Sequence, residues 1–287
     1  MTKTFKYSLD KSSKKFKCPR CYKKTLVRFI DLDKNFIEEK FGRCDREVSC
    51  GYFLKPEEDN NAFVEFVPQI ELPTSFIASA HVINTLKGYE HNSFTNWLIA
   101  KFDSKTIEQL ILKYRFGVDN SGPYTKDWTV FWQHDINGKV RSGKIIKYDD
   151  TGHRDKDWSA TWYHKKGNIN GPFFPDFNLK QCLFGEHLLK TNTKPIAIVE
   201  SEKTALIASL FIEKYLWLAC GGKQELRAEK LGPVLNRSVT LFPDLGAYDD
   251  WKVKAQEFGF NVSDQIEKIA SDEEKGKGLD IADYLLR

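Results

Sequence analysis

The 287-residue sequence has no apolar run approaching the ~20 residues that span a bilayer, and no h-region of a secretory signal. Both absences set the expectation of a cytoplasmic chain that makes no use of a membrane. It also lacks a Gly-x-x-x-x-Gly-Lys-Ser/Thr loop, which excludes an ATP-driven helicase module from these residues. Net charge is small, +4, but unevenly spread. Residues 1–24 hold nine Lys or Arg against Asp10 alone, a balance of +8, so the remainder sums to −4. A basic arm suits nucleic acid, because neutralising phosphates releases counterions. Ser12-Ser-Lys-Lys15 fits a solvated tail equally well.

Cysteine is also scarce, six in all, yet four of the six are paired. Cys18-Pro-Arg-Cys21 and Cys44-Asp-Arg-Glu-Val-Ser-Cys50-Gly51 stand 22 residues apart, the spacing of a four-thiolate structural zinc ribbon. Pro19 stiffens the first knuckle and Gly51 lets the second turn close. Two disulfides are the alternative, which the missing secretion signal disfavours. The ribbon strands are expected at Thr25-Leu-Val-Arg-Phe-Ile30 and near Asn35-Phe-Ile37. Arg20, Tyr22, Lys23, Lys24, Arg28, Arg43, Arg46 and Tyr52 are read as exposed on the ribbon. With Lys14, Lys15 and Lys17 of the arm they offer cations for phosphates and rings for stacking bases. Cys182 and Cys220 sit in apolar contexts and read as core thiols. His187 stands alone and reads as structural.

Composition divides the chain into a basic arm and ribbon at 1–60, a helical and antiparallel β region at 61–190, and an α/β domain at 191–287. The overall fold class is therefore α+β multidomain. Residues 54–75, with Pro56, Pro68 and Pro73, read as a linker. From 76 to 114, Ala80, Ile83, Leu86, then Phe94, Trp97, Leu98 and Phe102 recur at helical spacing, and Ser104 is placed to cap a further helix. From 128 to 148 the period changes to two. Thr129-Val-Phe-Trp-Gln-His134 and Lys139-Val-Arg-Ser-Gly-Lys-Ile-Ile-Lys-Tyr148 read as a hairpin turned at Asp135-Ile-Asn-Gly138. Arg141, Lys144 and Lys147 line the second strand, either as a solvated face or as a nucleic-acid surface, with Trp158, Trp162, Tyr163, Lys165 and Lys166 following.

In the last third, Ile196 to Val199 is a short apolar strand that ends on Glu200, with a helical stretch after it. Val239-Thr-Leu-Phe-Pro-Asp244 repeats the design, and Gly278-Leu-Asp-Ile-Ala-Asp283 closes the chain with two more acids. Open α/β sheets place ligands at such strand tips. Three acidic tips suggest a divalent cation, Mg²⁺ or Mn²⁺. Lys203 at the helix start could meet a phosphate. Cys220-Gly221-Gly222-Lys223 follows another strand and allows close backbone approach to a ligand or a tight turn.

The order of Glu200, Asp244 and the late acids resembles the Toprim domain of bacterial primases and topoisomerases. Val199-Glu-Ser-Glu-Lys-Thr-Ala205 is similar to the primase and primase-helicase versions. Phe131-Trp-Gln, Lys144-Ile-Ile-Lys-Tyr, Cys182-Leu-Phe-Gly-Glu-His-Leu-Leu, Val199-Glu-Ser-Glu-Lys-Thr and Leu241-Phe-Pro-Asp-Leu-Gly-Ala-Tyr together resemble an uncharacterised family of bacterial mobile-element proteins, which couple a primase-type ribbon to a Toprim-like domain. The likeness implies Glu200 beside the chemistry and Asp244 as the first aspartate of a metal-holding Asp-x-Asp. It also implies Asp280 and Asp283 as the late acidic motif. Gly246 departs from the pattern, standing where the second aspartate belongs, and Asp249 and Asp250 lie further on. No helicase-docking helical domain follows Asp283, so any helicase is expected as a separate chain.

Three readings follow. The first is a DNA primase-like nucleotidyltransferase, which joins ribonucleotides on single-stranded DNA for mobile-element replication. The second is a non-catalytic DNA-binding replication accessory with a degenerate Toprim domain. The third, a Toprim nuclease, fits the ribbon least.

Overall fold

The computed structural model describes residues 6–46, 50–56, 72–120, 125–168, 174 and 176–287. Most of the linker (57–71), the Glu47-Val-Ser49 stretch of the second knuckle, Met1 to Phe5 of the arm and the Lys166 side chain fall outside them. The chain divides into two compact units, Met1–Glu71 and Leu72–Arg287.

The first unit is an antiparallel sheet. Its strands are β1 (Ser8–Leu9), β2 (Phe16–Lys17), β3 (Lys24–Ile30), β4 (Gly42–Cys44) and β5 (Phe53–Leu54). β3 pairs with β1, β2 and β4, and β4 with β5. Gly42 is required where the strands meet, since a Cβ there would stand 2.5 Å from the Val27 carbonyl oxygen. The buried centre is Leu26 with the thiols of Cys18, Cys44 and Cys50. With Val27 and Phe29 the buried apolar side chains come to three, too small a core for a stable domain, so another stabiliser is needed.

The second unit opens with three helices, α1 (Ser79–Thr85), α2 (Ser93–Lys101) and α3 (Ser104–Tyr114). Asn92 and Asp103, not Ser104, cap α2 and α3 through their side chains. Next comes the antiparallel sheet β6 (Phe116–Asp119), β7 (Trp128–His134), β8 (Val140–Ile146) and β9 (Thr161–Trp162), paired in sequence order. Gly138 closes the β7–β8 turn with φ +79°. Every residue of β7 is buried. Val130 and Trp132 pack with Ile77, Val82 and Tyr163, while Phe131 faces Phe94, Phe116 and Phe184. The sheet therefore has cover on both sides of β7 rather than an open face there.

A parallel sheet follows, with strands β10 (Ile196–Val199), β11 (Leu216–Ala219), β12 (Val239–Leu241) and β13 (Asn261–Val262) in the order β11-β10-β12-β13. Its strands are short continuous apolar runs, as expected for a sheet covered on both faces. Helices α4 (Glu202–Phe211), α5 (Ala228–Leu231), α6 (Tyr248–Phe258), α7 (Gln265–Ile269) and α8 (Ile281–Leu285) accompany it. One apolar cluster runs from Phe94 and Phe131 through Val199 and Leu206 to Ile281, so both sheets of this unit share a core. Among the described residues no helix is long and apolar enough to cross a membrane.

Candidate metal and phosphate sites

The four paired cysteines converge. Their sulfurs all lie within 4.8 Å of one another, with Cys18 and Cys50 3.7 Å apart and Cys21 and Cys44 3.9 Å apart. A zinc ion with Zn–S bonds of 2.3 Å requires tetrahedral edges of about 3.8 Å. A disulfide would hold the sulfurs at about 2.05 Å, and all six cysteines are free. The donor set and its spacing fit a structural zinc ion. The Thr25 hydroxyl lies 3.1 Å from the Cys44 sulfur, placed to donate to a thiolate. Gly51 closes the second knuckle at φ +64°, and Tyr22 takes the matching left-handed position after the first at φ +57°.

Tyr22 is 71% exposed with the Lys17 ammonium 5.6 Å from its ring, and Lys14, Arg20, Lys23, Lys24 and Arg43 are exposed too. Lys15 pairs with Asp45 at 2.8 Å. Three ribbon residues expected on the surface, Arg28, Arg46 and Tyr52, are half-buried instead. Arg28 is half-buried, with its guanidinium over the Phe16 ring and bonded to the Ile37 carbonyl. The Tyr52 hydroxyl donates to the Lys40 carbonyl at 2.6 Å.

The acidic edge is built by the parallel sheet. β10 is fully buried and delivers Glu200 to its carboxyl end; Ser201 then caps α4 by accepting from the Thr204 amide. β12 runs beside β10 and carries the chain through Phe242 to Asp244. Because β11 and β12 flank β10 on opposite sides, Glu200 stands at the topological switch of the sheet, where open α/β folds take ligands. Glu200 is over nine-tenths buried; its Oε1 and the Oδ1 of Asp244 are buried with no hydrogen-bond partner among the described residues. Burial, then Glu200, Asp280 and Asp283, push the Asp244 carboxyl up to about 8. Burial likewise raises Glu200, partly offset by the Lys223 ammonium. Two partnerless, mutually repelling carboxyl oxygens are what a hard cation would satisfy, so Glu200 and Asp244 fit Mg²⁺ or Mn²⁺.

The late acids are otherwise engaged. Asp280 Oδ1 accepts from the Ala282 and Asp283 amides, its Oδ2 from the Thr204 hydroxyl, and the Asp283 carboxylate accepts from the Asp280 amide at 2.9 Å. This is a capping box on α8. Among the described residues, the four thiolates are the group of three or more ligand atoms that gathers for a metal. Gly246 occupies a turn at φ +83°, where its amide donates to Glu267 at 2.8 Å. An aspartate there would carry the strain of a left-handed backbone. Asp249 is exposed, and Asp250 pairs with Lys223 at 2.8 Å.

The basic residues of the hairpin and of α4 all have partners. Arg141 pairs with Asp135 at 2.9 Å, and Lys147 with Asp155 at 2.9 Å. Lys203 donates to the Gly152 carbonyl at 2.8 Å and stands over the Trp97 ring. Lys144 pairs with Glu202 at 3.0 Å, and that carboxylate side chain is 1% exposed. The importance of Glu202 was missed in the sequence. Its signal was the second acid of Glu200-Ser-Glu202, two residues beyond the strand tip and so inside the first turn of α4.

The sequence profile of the family described as "Domain of unknown function (DUF6371)" matches residues 92–245, and that of a zinc beta-ribbon finger matches residues 5–63. No curated protein matches in sequence. Among solved structures, the E. coli primase catalytic core is similar over 72% of this chain and 80% of its own, at 12% identity and a TM-score of 0.45. The DnaG catalytic core is similar over 68% and 76%, at 12% identity and a TM-score of 0.47. The primase fragment of the bacteriophage T7 primase-helicase protein is similar over 58% and 68%, at 18% identity and a TM-score of 0.38.

Proposed function

The chain belongs to the family described as a domain of unknown function, DUF6371, and we propose that it is a DNA primase-like nucleotidyltransferase. In this reading it makes RNA primers on single-stranded DNA during mobile-element replication, alongside a separately encoded helicase. The observation that carries the reading is the pair of buried, partnerless carboxyl oxygens of Glu200 and Asp244 at the switch point of the parallel sheet. A cation bound there would lower the pKa of an attacking hydroxyl and neutralise charge on the departing pyrophosphate. Glu200 and Asp244 would hold it, while the apolar floor of β10 and β12 excludes water beneath it. Tyr22, Lys17 and Lys23 of the ribbon would hold template by stacking and phosphate contact.

A second reading, a DNA-binding accessory without chemistry, draws support from Gly246 and from the capping bonds that engage both oxygens of Asp280. Primer synthesis on single-stranded DNA with labelled ribonucleotides and Mg²⁺ or Mn²⁺ separates the two. Oligoribonucleotides made by wild type and lost in Glu200→Gln and Asp244→Asn are the expected result. Wild-type protein that binds DNA but makes no product would establish the accessory reading.

A further inference from the structure

The turn after β11 is bonded unevenly. All four carbonyls of residues 220–223 are held by the protein: Cys220 O by the Lys230 ammonium at 2.9 Å, Gly221 O by Lys144 at 2.9 Å, Gly222 O by the Glu225 amide at 3.0 Å, and Lys223 O by the Trp251 indole at 3.2 Å. The first two amides, of Cys220 and Gly221, donate to the backbone of Val199 and Glu200. Of the next three amides, those of Lys223 and Gln224 have no acceptor among the described residues, and that of Gly222 faces only the Cys220 sulfur. Two free N–H groups, with the weakly engaged Gly222 amide beside them, thus follow a backbone whose carbonyls are all tied down, and they sit at an exposed turn beside the Lys223 ammonium.

The clamps are substantial. Lys230 is 4% exposed and also bonds Gln181 and Glu225, at 2.7 and 2.6 Å, and Lys144 reaches the turn while paired with the buried Glu202. Gly221 adopts φ +94°, which keeps a Cβ out of the turn. Successive backbone amides in such a turn form a concavity for an anion. Which anion follows from the neighbours. Glu200 lies one hydrogen bond away, since its carbonyl accepts from Gly221 at 2.8 Å, and its partnerless, buried Oε1 calls for a cation. A ligand that satisfies both the amides and that cation carries several anionic oxygens. Two free amides and an ammonium, with the Gly222 amide in reserve, exceed the two free oxygens of a phosphodiester and match a phosphate with more.

We propose that the 222–224 turn, with Lys223, is a phosphate-binding loop for a polyphosphate chain such as that of a nucleotide. It rests on the reading above for the cation at Glu200 and on the loop's own hydrogen bonds for the rest. Lys223 exchanges Asp250 for the ligand when it binds. Lys144 and Lys230 are positioning residues that keep the amides turned outward.

The test is amide NMR on the zinc-loaded full chain in millimolar Mg²⁺. It is titrated separately with inorganic tripolyphosphate, with ATP and with an oligonucleotide lacking terminal phosphates. Tripolyphosphate and ATP are expected to shift the amides of Gly222, Lys223 and Gln224 in a saturable way, and Lys223→Ala to weaken both at least fivefold. Those amides moving with the oligonucleotide alone, or with none of the three, overturns the proposal. Primer synthesis with silent 222–224 amides would sink this inference and leave the polymerase reading standing. Responsive amides without primer synthesis would do the reverse.

Discussion

Asp244 is held where its own charge is least stable, against Glu200 and the Asp280–Asp283 pair and with one oxygen lacking a partner. Its folded value of about 8 lies above the unfolded value of 3.8. Between those limits the folded state retains a proton that the unfolded chain has released. The penalty is absent below pH 3.8, grows as pH rises, and is complete near pH 8. Asp244→Asn is therefore expected to stabilise the second unit by on the order of 2 kcal/mol at pH 8 without divalent cations, and by almost nothing at pH 4. Urea midpoints at the two pH values measure it. Added Mg²⁺ should stabilise wild type and not the variant, because ligand binding to the folded state adds stability by mass action. An asparagine variant no firmer than wild type at pH 8 would mean the carboxyl is not crowded. The placement of Glu200 and Asp244 at strand ends was legible in the sequence because each follows a short apolar run. The bonds of Asp280 and Asp283 were not, since two acids three apart ahead of an apolar helix read equally as metal ligands and as a capping box.

At the scale of elements, Lys144, half-buried, and the buried Glu202 tie β8 of the antiparallel sheet to the first turn of α4 in the parallel one. Lys144→Met leaves the 1%-exposed Glu202 carboxylate without its cation, which should cost about 3–5 kcal/mol. Adding Glu202→Leu should restore most of that loss, because two apolar side chains replace a charge that is no longer paired. A double-mutant cycle in urea reads the coupling. Additive losses would show that the two residues act separately. Period-two alternation placed β7 and β8 correctly but left the nature of their faces open. Alternation says which residues share a face and not what covers it. Phe131 turns to the aromatic cluster of Phe94, Phe116 and Phe184, and Trp132 turns to Tyr163. Thr129 and Gln133, which look like surface positions, are buried as well. The cations of β8 are drawn into ion pairs from two sides: Asp135 reaches Arg141 from the hairpin's own turn, and Glu202 reaches Lys144 from α4.

At the scale of the whole molecule, the two units owe their stability to different things. The second has three apolar clusters of its own. The first buries only Leu26, Val27 and Phe29 beside three thiols, a core small enough that a zinc ion on the four thiolates would supply much of its folding free energy. The two closely spaced cysteine pairs made the four-thiol cluster legible at once, because thiolates need only be brought together in sequence pairs. The acidic edge needed two distant strand ends and a helix N-terminus, which spacing alone does not bring together. Cys18→Ser, or a strong zinc chelator, should release the metal and expose residues 6–56 to protease while the thermal transition of the second unit moves by no more than ~2 °C. Full zinc content in Cys18→Ser would remove that thiol from the site. The same treatment separates two kinds of phosphate recognition. With zinc, single-stranded DNA affinity should fall with added salt, log K against log salt having a slope of about −2 to −4 for three to five phosphates neutralised by the arm and ribbon. Without zinc that affinity should drop at least tenfold, while tripolyphosphate still shifts the amides of Gly222, Lys223 and Gln224. Loss of both together would mean that one surface serves both ligands. A flat salt response would remove the lysines of residues 14–24 from the DNA interface.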